Sequence, residues 1–349
     1  MTSKKTSKGK PPPLPIFTLR GHKASINAIV FLKDDSLLLS GDSEGSLIVW
    51  NAESRRVETS SRDAHEKGVL SLGVMADGRI LSQGRGGDVK IWRYTKTLEC
   101  LHVMSTGSCT FCKMHFRDNR VLTPSADPNM FQLWTVSSDI FTKQIYEPKC
   151  SFQSGMCLAL RLLEKNCVLV GFESGHVAYV FVLNNPSSRT LNNYNNRRFE
   201  IPEKNEDSSI LLQPSVEAKL LSKPILCMEM DSKGFGVCVG ASSEIVFFVL
   251  TKDSCSIRQT LKISGRPGFN DVKLRPDDKI LALGGWDMSV RIFQWRRRRL
   301  PKPLAVLKDV FEETVSGVAF SSDSRYLAAC SRDKNISVWS IYPPSSSSS

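Results

Sequence analysis

The sequence predicts an all-β fold, a ring of seven four-stranded sheets that is closed by pairing of the two ends of the chain. Two observations predict this fold. A unit recurs about every 42 residues, and its short apolar and polar stretches alternate with a period of two and sustain no helical period. Repeats of about 40 to 45 residues with four strands each are typical of β-propeller blades.

The repeat unit is recognised by its last residue, which is aromatic or large and apolar. Trp50, Trp92 and Trp134 follow one another at intervals of 42 residues. Later units end near Val180, Phe248, Phe293 and Trp339. The chain therefore contains seven units, one for each predicted blade.

The last unit shows the internal pattern of a blade most clearly. An alternating strand at 312–320 is followed by a polar turn at 321–325, a strand ending in small residues at 326–330, and a third strand at 335–339. Segments of this length with β-branched enrichment are predicted strands. Each unit repeats this order with some drift.

The two ends of the chain predict how the ring closes. The last unit stops after its third strand, at Tyr342, before Pro343, Pro344 and a serine tail that cannot continue a sheet. The short apolar segment Ile16–Leu19 precedes the first unit and can supply the missing fourth strand. Such closure would remove an exposed sheet edge, so the ends of the fold are predicted to touch.

The predicted organisation is one domain with two tails. Residues 1–15 form a flexible tail rich in Lys and Pro, 16–343 the propeller, and 344–349 a serine tail. One long irregular stretch, about 184–222, is rich in Asn and Ser and poor in aliphatic residues, which predicts a flexible insertion. Its participation in partner recognition is left open by the sequence.

Charge and cysteine content restrict the compartment and the partners. Lys and Arg number 47 against 35 Asp and Glu, for a net charge of +12, and part of the excess lies in Lys4–Lys10 and in the run Arg296–Arg299. These runs fit a solvated surface, nuclear import or an acidic protein partner, and nucleic acid ranks last. Ten scattered cysteines fit free thiols in a reducing compartment. The first residues resemble no signal peptide, and no apolar run reaches the length of a membrane span.

The sequence offers no pattern for catalysis, a cofactor or a metal. The glycines of Gly84–Gly87 lie in a predicted hairpin turn rather than in a phosphate-binding loop. Cys109, Cys112 and His115 have the spacing of half a zinc site, but no second pair matches it. His22 has a structural role in the repeat, and the other histidines show no metal-ligand spacing. We therefore predict a non-enzyme without cofactors.

The turn between the second and third strands of each blade is the predicted interaction surface. In a propeller these turns surround one mouth of the central channel. The residue seven places before the aromatic residue that ends a unit is expected to face that mouth. The predicted partner-binding residues are Ser43, Arg85, Asp127, Trp286 and Arg332. Trp and Arg dominate interface energetics, although Trp286 has the alternative of folding against its own blade.

The blades resemble WD repeats over about residues 16–342. In that family a Gly-His pair precedes the first strand, an Asp lies six residues before a Trp, and the three side chains stiffen the blade. The residues matched to this structural role are His22, Trp50, Trp92, Trp134, Asp287, Asp333 and Trp339. Glu44 stands at the Asp position of the first repeat, whereas Gly86 and Pro128 depart from it in the second and third.

A narrower resemblance is carried mainly by the C-terminal third. The segment 272–282 contains Arg275-Pro276-Asp277 and leads into Gly285-Trp286-Asp287. The segments 290–296, 303–307 and 331–343 complete it, together with 81–85. With these segments the chain resembles the subfamily called G-protein β-subunit-like protein 1 or ASTRA-associated protein 1.

The resemblance implies a non-catalytic adaptor. It would act in the chaperone-linked assembly and stabilisation of phosphatidylinositol-3-kinase-related kinases, with a link to chromatin-associated complexes of the ASTRA type. The implied partners are co-chaperone components and large kinases, and the implied compartments are cytoplasm and nucleus. The chain would be monomeric within a larger complex and would bind neither a membrane nor a small-molecule substrate.

Three other functions remain open. A ubiquitin-ligase substrate receptor or a histone-binding reader would also use a propeller mouth. A signalling Gβ subunit needs a long helix ahead of the ring, and Pro11–Pro15 cannot be helical. That third alternative is therefore the weakest.

Overall fold

The computed structural model describes residues 13–342, except residues 33, 138–140, 183–208 and 297–298. The predicted tail residues 1–12 and 343–349, the greater part of the predicted insertion, and Arg297 and Arg298 lie outside the described residues. Within that part of the chain the secondary structure is 29 β-strands and one 3₁₀ turn at Glu164–Asn166. No helix there has the length and hydropathy to cross a bilayer.

The strands form seven sheets, one for each predicted repeat. The first strand, β1 (Phe17–Arg20), belongs to the last sheet. Blade 1 comprises β2 (Ile26–Phe31), β3 (Leu37–Asp42), β4 (Leu47–Asn51) and β5 (Arg56–Ser61). Blade 2 comprises β6 (Val69–Val74), β7 (Ile80–Gly84), β8 (Asp88–Tyr94) and β9 (Leu98–Ser105). Blade 3 comprises β10 (His115–Arg117), β11 (Arg120–Pro124), β12 (Phe131–Val136) and β13 (Phe141–Pro148).

The remaining blades repeat the arrangement. Blade 4 comprises β14 (Cys157–Leu162), β15 (Cys167–Phe172), β16 (His176–Phe181) and β18 (Val216–Lys219), with β17 (Ile210–Leu212) lying against blade 3. Blade 5 comprises β19 (Ile225–Met230), β20 (Phe235–Gly240), β21 (Glu244–Leu250) and β22 (Cys255–Lys262). Blade 6 comprises β23 (Phe269–Leu274), β24 (Ile280–Gly285), β25 (Val290–Gln294) and β26 (Lys302–Leu307). Blade 7 comprises β27 (Val315–Phe320), β28 (Tyr326–Ser331) and β29 (Asn335–Ser340), with β1 as its outer strand.

The core is divided among the interfaces between blades. Seven apolar clusters are present, and each joins two neighbouring sheets. In the cluster between blades 7 and 1, Trp50 and Leu19 pack with Val338. Because every sheet buries both faces against its neighbours, stability comes from ring closure as much as from any single blade.

The predicted closure of the ring is confirmed. Strand β1 pairs antiparallel with β29, with Phe17 opposite Val338 and Thr18 opposite Ser337. The amide of Ile16 donates to the carbonyl oxygen of Val338 at 2.7 Å. The seven-bladed propeller closed by its N-terminal strand is therefore the fold that the repeat pattern predicts.

The predicted flexible insertion, about 184–222, includes two strands near its C-terminal end that belong to the ring. Strand β18 is the outer strand of blade 4, and β17 pairs in parallel with β13 of blade 3, with Tyr146 opposite Ile210. Leu212 is buried in the interface between these blades. Two short strands at 210–212 and 216–219 thus return the chain to the ring before Ser222.

The strand order gives the ring two distinct faces. Turns between second and third strands, and connections from one blade to the next, open on one face, which we call the upper face. Turns between first and second strands and between third and fourth strands open on the lower face. The innermost strands line the central channel that joins the faces.

Candidate interaction surface at the channel mouth

Four of the five predicted mouth residues, those of blades 1, 2, 6 and 7, occupy equivalent positions on the upper face. In blades 1, 2, 6 and 7 the amide of the mouth residue donates to a carbonyl at the start of the inner strand, as in Arg85 to Gly68 at 2.9 Å and Arg332 to Thr314 at 3.1 Å. Blades 4 and 5 show the same bond. The full ring of mouth positions is Ser43, Arg85, Ala126, Glu173, Ala241, Trp286 and Arg332. The prediction of Asp127 is off by one residue, because the turn of blade 3 is one residue longer than that of blade 1. Glu173 and Ala241 were missed from sequence because blades 4 and 5 have neither the terminal tryptophan nor an aspartate six residues before it, whereas blade 6 keeps Asp287.

Arg85 and Arg332 form a basic pair on this ring. The Arg85 guanidinium lies over the Phe111 ring, 5.0 Å from its centroid, and the ring of Phe111 is 64% exposed. Burial, and then the charge of Arg332, lower the pKa of Arg85. Among the described residues neither arginine has a carboxylate partner, and the buried Nε of Arg85 has no hydrogen-bond acceptor. An unsatisfied buried donor of this kind favours an external acceptor.

The ring of mouth positions is electrostatically asymmetric. Blades 7, 1 and 2 contribute Arg332, Ser43 and Arg85, whereas blade 4 contributes Glu173 and the turn of blade 3 adds Asp127 beside its mouth position. Asp127 and Glu173 are exposed, and each accepts one nearby backbone amide, from Asn129 and Met156. A partner that lies across the mouth therefore meets a positive arc and a negative arc on opposite sides.

Trp286 is folded against its own blade. Its Nε1 donates to Asn270 Oδ1 at 2.7 Å, and its ring lies on Gly268, where an added Cβ would come within 2.2 Å of ring carbons. Asn270 in turn donates to the carbonyl of Val315 in blade 7 at 2.9 Å. The half-buried indole therefore stabilises the rim between blades 6 and 7 and offers a partner only part of its surface.

The structural histidine of the first repeat works with a different acid from the one predicted. His22 lies 2.9 Å from Asp42 Oδ2 and 2.7 Å from Ser40 Oγ, which also accepts the Trp50 indole N–H at 2.7 Å. Glu44, the residue at the expected Asp position, is exposed and contributes only its backbone amide. The assignment of Glu44 to this role is wrong, because Asp42, the last residue of β3, is the acid that contacts the imidazole.

Blade 2 contains the same set, which the sequence reading missed. His65 lies 2.7 Å from Asp88 Oδ2 and 2.6 Å from Ser82 Oγ, and Ser82 accepts the Trp92 indole N–H. The acid comes from the first residue of β8, so the glycine at position 86 does not interrupt the set. The spacing between His and Ser, 18 residues in blade 1 and 17 in blade 2, is the signal that could have found it.

The remaining structural repeat residues have divergent partners. Trp134 donates to Thr123 Oγ1 at 3.2 Å, and Asp287 forms a two-point ion pair with Arg291. Asp333 accepts the amides of Glu312 and Asn335, so its role is confined to the turn.

Trp339 differs from the other blade tryptophans. It is fully buried, yet its Nε1 has no hydrogen-bond partner. Ser40 and Ser82 accept the indole N–H in blades 1 and 2, and Ala329 occupies the equivalent position in blade 7. The indole packs instead against Phe311, 6.1 Å between centroids. Blade 7 therefore depends on apolar packing and on β1.

The cysteine and histidine residues do not converge on a metal site in the part of the chain that the structure describes. No group of three or more His, Cys, Asp or Glu side chains lies close enough to hold an ion there. Cys109 is exposed and Cys112 is fully buried. Burial raises the pKa of the Cys112 thiol far above its ordinary value, which disfavours the thiolate.

Comparison with known proteins agrees with the repeat pattern. The family described as WD domain, G-beta repeat matches residues 14–51 and 302–340. The chain is 29% identical to guanine nucleotide-binding protein subunit beta-like protein 1 of Mus musculus over 353 residues, which cover 95% of this chain and 98% of that protein. It is 23% identical over 385 residues to ASTRA-associated protein 1 of Schizosaccharomyces pombe, with 95% and 99% covered.

A solved structure shows the same architecture. The β-propeller domain of Myceliophteria thermophila Cps50 (Swd1) superimposes with a TM-score of 0.71 at 14% identity, covering 95% of this chain and 100% of that chain. At this identity the likeness concerns the fold alone. The chain carries WD repeats, and its predicted resemblance to the two named groups of proteins is confirmed across most of its length.

Proposed function

We propose that this WD-repeat β-propeller is a non-catalytic protein-interaction scaffold that works as an adaptor in an ASTRA-type assembly. The observation that carries the proposal is the extent of the similarity to proteins named ASTRA-associated protein 1. Two such relatives, from Schizosaccharomyces pombe and Schizosaccharomyces japonicus, match over 95% of this chain and 99% of their own length. The likeness therefore spans the whole ring and is not confined to one repeat.

The channel mouth supplies a physical basis for binding a partner. Arg85 and Arg332 have no carboxylate partner among the described residues, and their backbones are fixed by hydrogen bonds to the neighbouring inner strands. Rigid positioning reduces the entropy lost on association. An acidic segment of a partner would satisfy both arginines and the open Nε of Arg85, with Phe111 as an adjacent apolar contact.

The proposal extends to the partners and compartments that the family resemblance implies. The chain would bring co-chaperone components to phosphatidylinositol-3-kinase-related kinases and stabilise those kinases during assembly. It would act in both cytoplasm and nucleus, as a monomer within a larger complex. The net charge of +12 is consistent with acidic partners.

A second candidate is a reader of basic peptides such as histone tails. The negative arc at Asp127 and Glu173 favours this alternative, since exposed carboxylates at a rigid mouth can receive Lys or Arg side chains. A ubiquitin-ligase substrate receptor stays an alternative without a specific contact to favour it.

Affinity purification of the tagged full-length chain from cells, followed by mass spectrometry, tests the proposal. We expect co-chaperone subunits and very large kinases at stoichiometric abundance. Recovery of cullin adaptors would favour the ligase alternative, and recovery of histones would favour the reader. Recovery of either set without chaperone or kinase subunits would overturn the adaptor proposal.

A further inference from the structure

The inner strands place charged residues in two rings at different depths of the channel. In each blade, the residue just before the aromatic position of the third strand pairs with a residue of the second strand. That residue pairs in turn with one residue of the inner strand. These residues form the lower ring: Val30, Gly73, His115, Arg161, Glu229, Lys273 and Ala319. The upper ring lies two residues earlier on each inner strand and includes Asp271 in blade 6 and Lys113 in blade 3.

The upper ring carries a bridge across the channel. Lys113 belongs to blade 3, yet its Nζ lies 3.0 Å from the carbonyl oxygen of Asn270 and 3.5 Å from Asp271 Oδ1, both in blade 6. Two blades separate these elements on one side and three on the other, so the lysine side chain crosses the channel. Burial alone would lower the pKa of Lys113, but the Asp271 carboxylate outweighs burial and raises it, which keeps this bridge charged.

Below this bridge solvent reaches the lower ring at Lys273. Lys273 is solvent-exposed although it belongs to an inner strand, so water reaches it from within the channel. Its position near the end of β23 puts it one residue from the lower face. The channel below Lys113 is therefore a pit that opens on the lower face, away from the mouth proposed for the partner.

The charges of the lower ring do not balance. Arg161 of blade 4 pairs with Glu229 of blade 5, and Lys113 pairs with Asp271, whereas Lys273 has no hydrogen bond or ion pair to any described residue. Enclosure by the surrounding protein lowers the pKa of Lys273, and although the Asp271 carboxylate opposes this, the charges of Arg161 and Lys113 lower it further. One unpaired cation thus remains in a pit walled by protein.

His115 stands in the same ring as a neutral donor. Its Nδ1 accepts the amide of Leu162 at 3.1 Å, so the ring proton resides on Nε2. Burial, followed by the charges of Arg161, Lys273 and Arg117, lowers the pKa of His115 well below its ordinary value. The same cations that repel a proton from His115 would attract an anion.

We propose that the lower ring is a binding site for a small oxyanion of the phosphate type, held by Lys273, Arg161 and the Nε2–H of His115. The ligand enters from the lower face and stops at the Lys113–Asp271 bridge. A small free anion fits this pit better than a macromolecule, because the bridge crosses the channel above it. The site is independent of the adaptor role proposed for the upper face.

Titration of the full-length protein with inorganic pyrophosphate, by calorimetry and thermal shift at constant ionic strength, tests the site. We expect saturable binding at one site and a rise in Tm. Lys273→Met should weaken binding by at least about tenfold, as expected for loss of a charged hydrogen bond, and Lys273→Arg should retain it. Valine, glycine and alanine occupy the equivalent position in other blades, so the fold tolerates an uncharged side chain there.

Lys96→Met is the matched control, because Lys96 is an exposed lower-face lysine outside the channel. It should bind pyrophosphate as the wild type does. Absence of saturable binding to the wild-type protein would overturn the proposal even if Lys273→Met failed to fold. Equal affinity of Lys273→Met and wild type would also overturn it.

Discussion

The Arg275 guanidinium holds the end of the last blade through the backbone of Tyr342. Its Nη1 donates to the carbonyl oxygen of Tyr342 at 2.7 Å and to that of Ile341 at 2.9 Å, while Nε and Nη2 bind the Asp277 carboxylate. Arg275 is 3% exposed and lies in the turn after β23 of blade 6. The Arg-Pro-Asp motif, on which the narrower family resemblance partly depends, therefore fastens the chain where the ring closes.

Replacing Arg275 by Met should destabilise the protein by about 2–4 kcal/mol, because the carbonyl groups of Ile341 and Tyr342 and the Asp277 carboxylate lose their charged donor. Chemical denaturation of the purified protein measures the loss. Arg79→Met is the control, since Arg79 binds only Asp77 of its own turn in blade 2, and should cost less than about 1 kcal/mol. Equal losses for both variants would contradict the role of Arg275 as a fastener.

Closure of the ring predicts a specific cross-link. Thr18 and Ser337 lie directly opposite each other, with their hydroxyl oxygens 2.9 Å apart. Opposed residues of antiparallel strands have Cα atoms about 4.5–5.5 Å apart, which suits a disulfide. Thr18→Cys with Ser337→Cys should therefore form a disulfide under mild oxidation, identified by mass spectrometry of the linked peptides.

Truncation gives an independent check of the closure. Deletion of residues 1–20 removes β1 and should give an insoluble or unfolded protein, because blade 7 then exposes an edge and Leu19 leaves the core. Deletion of residues 1–12 alone should leave the melting temperature unchanged. A soluble 1–20 deletion with normal stability would show that the N-terminal strand is dispensable.

The unsatisfied indole of Trp339 predicts a stabilising substitution. Ala329→Ser places a hydroxyl where Ser40 and Ser82 accept the indole N–H in blades 1 and 2. Satisfying this donor should raise the free energy of unfolding by about 1 kcal/mol. Ala328→Ser is the control: it buries a hydroxyl on the opposite face of the strand and should destabilise. A lower melting temperature for Ala329→Ser would contradict this explanation of blade 7.

The acid dependence of stability should reside in Asp42 rather than in Glu44. Burial raises the pKa of Asp42, but hydrogen bonds from His22 and from the amides of Ser46 and Glu44 outweigh burial and lower it. A carboxyl group whose pKa is lower in the folded state stabilises the protein above the unfolded pKa of about 3.9, and this stabilisation is lost as pH falls through the folded value. Asp42→Asn should therefore cost about 1–3 kcal/mol at pH 7 and flatten the decline below about pH 5.

Urea unfolding of the wild type and Asp42→Asn between pH 2 and pH 7 measures this dependence. Glu44→Gln serves as the comparison, because the Glu44 side chain is exposed and makes no side-chain hydrogen bond within the described contacts. Its pH profile should match that of the wild type. A profile altered by Glu44→Gln and not by Asp42→Asn would restore the original assignment from sequence.

Sequence alone predicted the seven repeats and the closing strand because period-two patterning and the spacing of large residues are local signals. It assigned the structural acid to the wrong residue. Asp42 lies before the turn between the second and third strands, whereas Asp88 lies after that turn in its own blade. It also missed β17, whose three residues pair with a strand of another blade. That pairing leaves no local pattern.

The charged rings of the channel were likewise beyond sequence reasoning. Lys113 and Asp271 are 158 residues apart and meet only across the closed ring. The mouth positions were found in four blades where the repeat register is readable, displaced by one residue in the longer turn of blade 3, and missed at Glu173 and Ala241. The folded position of Trp286 depended on Gly268 and Asn270, which carry no repeat signal.

The basic pair at the channel mouth is the central claim for function, and charge reversal tests it most directly. Arg85→Gln with Arg332→Glu changes the net charge by −3, and Lys96→Glu with Lys233→Gln makes the same change at exposed positions on the lower face. Quantitative mass spectrometry of tagged proteins purified from cells compares partner recovery, with melting temperatures measured in parallel. We predict that the upper-face variant loses its partners by at least about tenfold at unchanged stability, while the lower-face variant retains them. Full recovery of partners by the Arg85 and Arg332 variant would contradict the account.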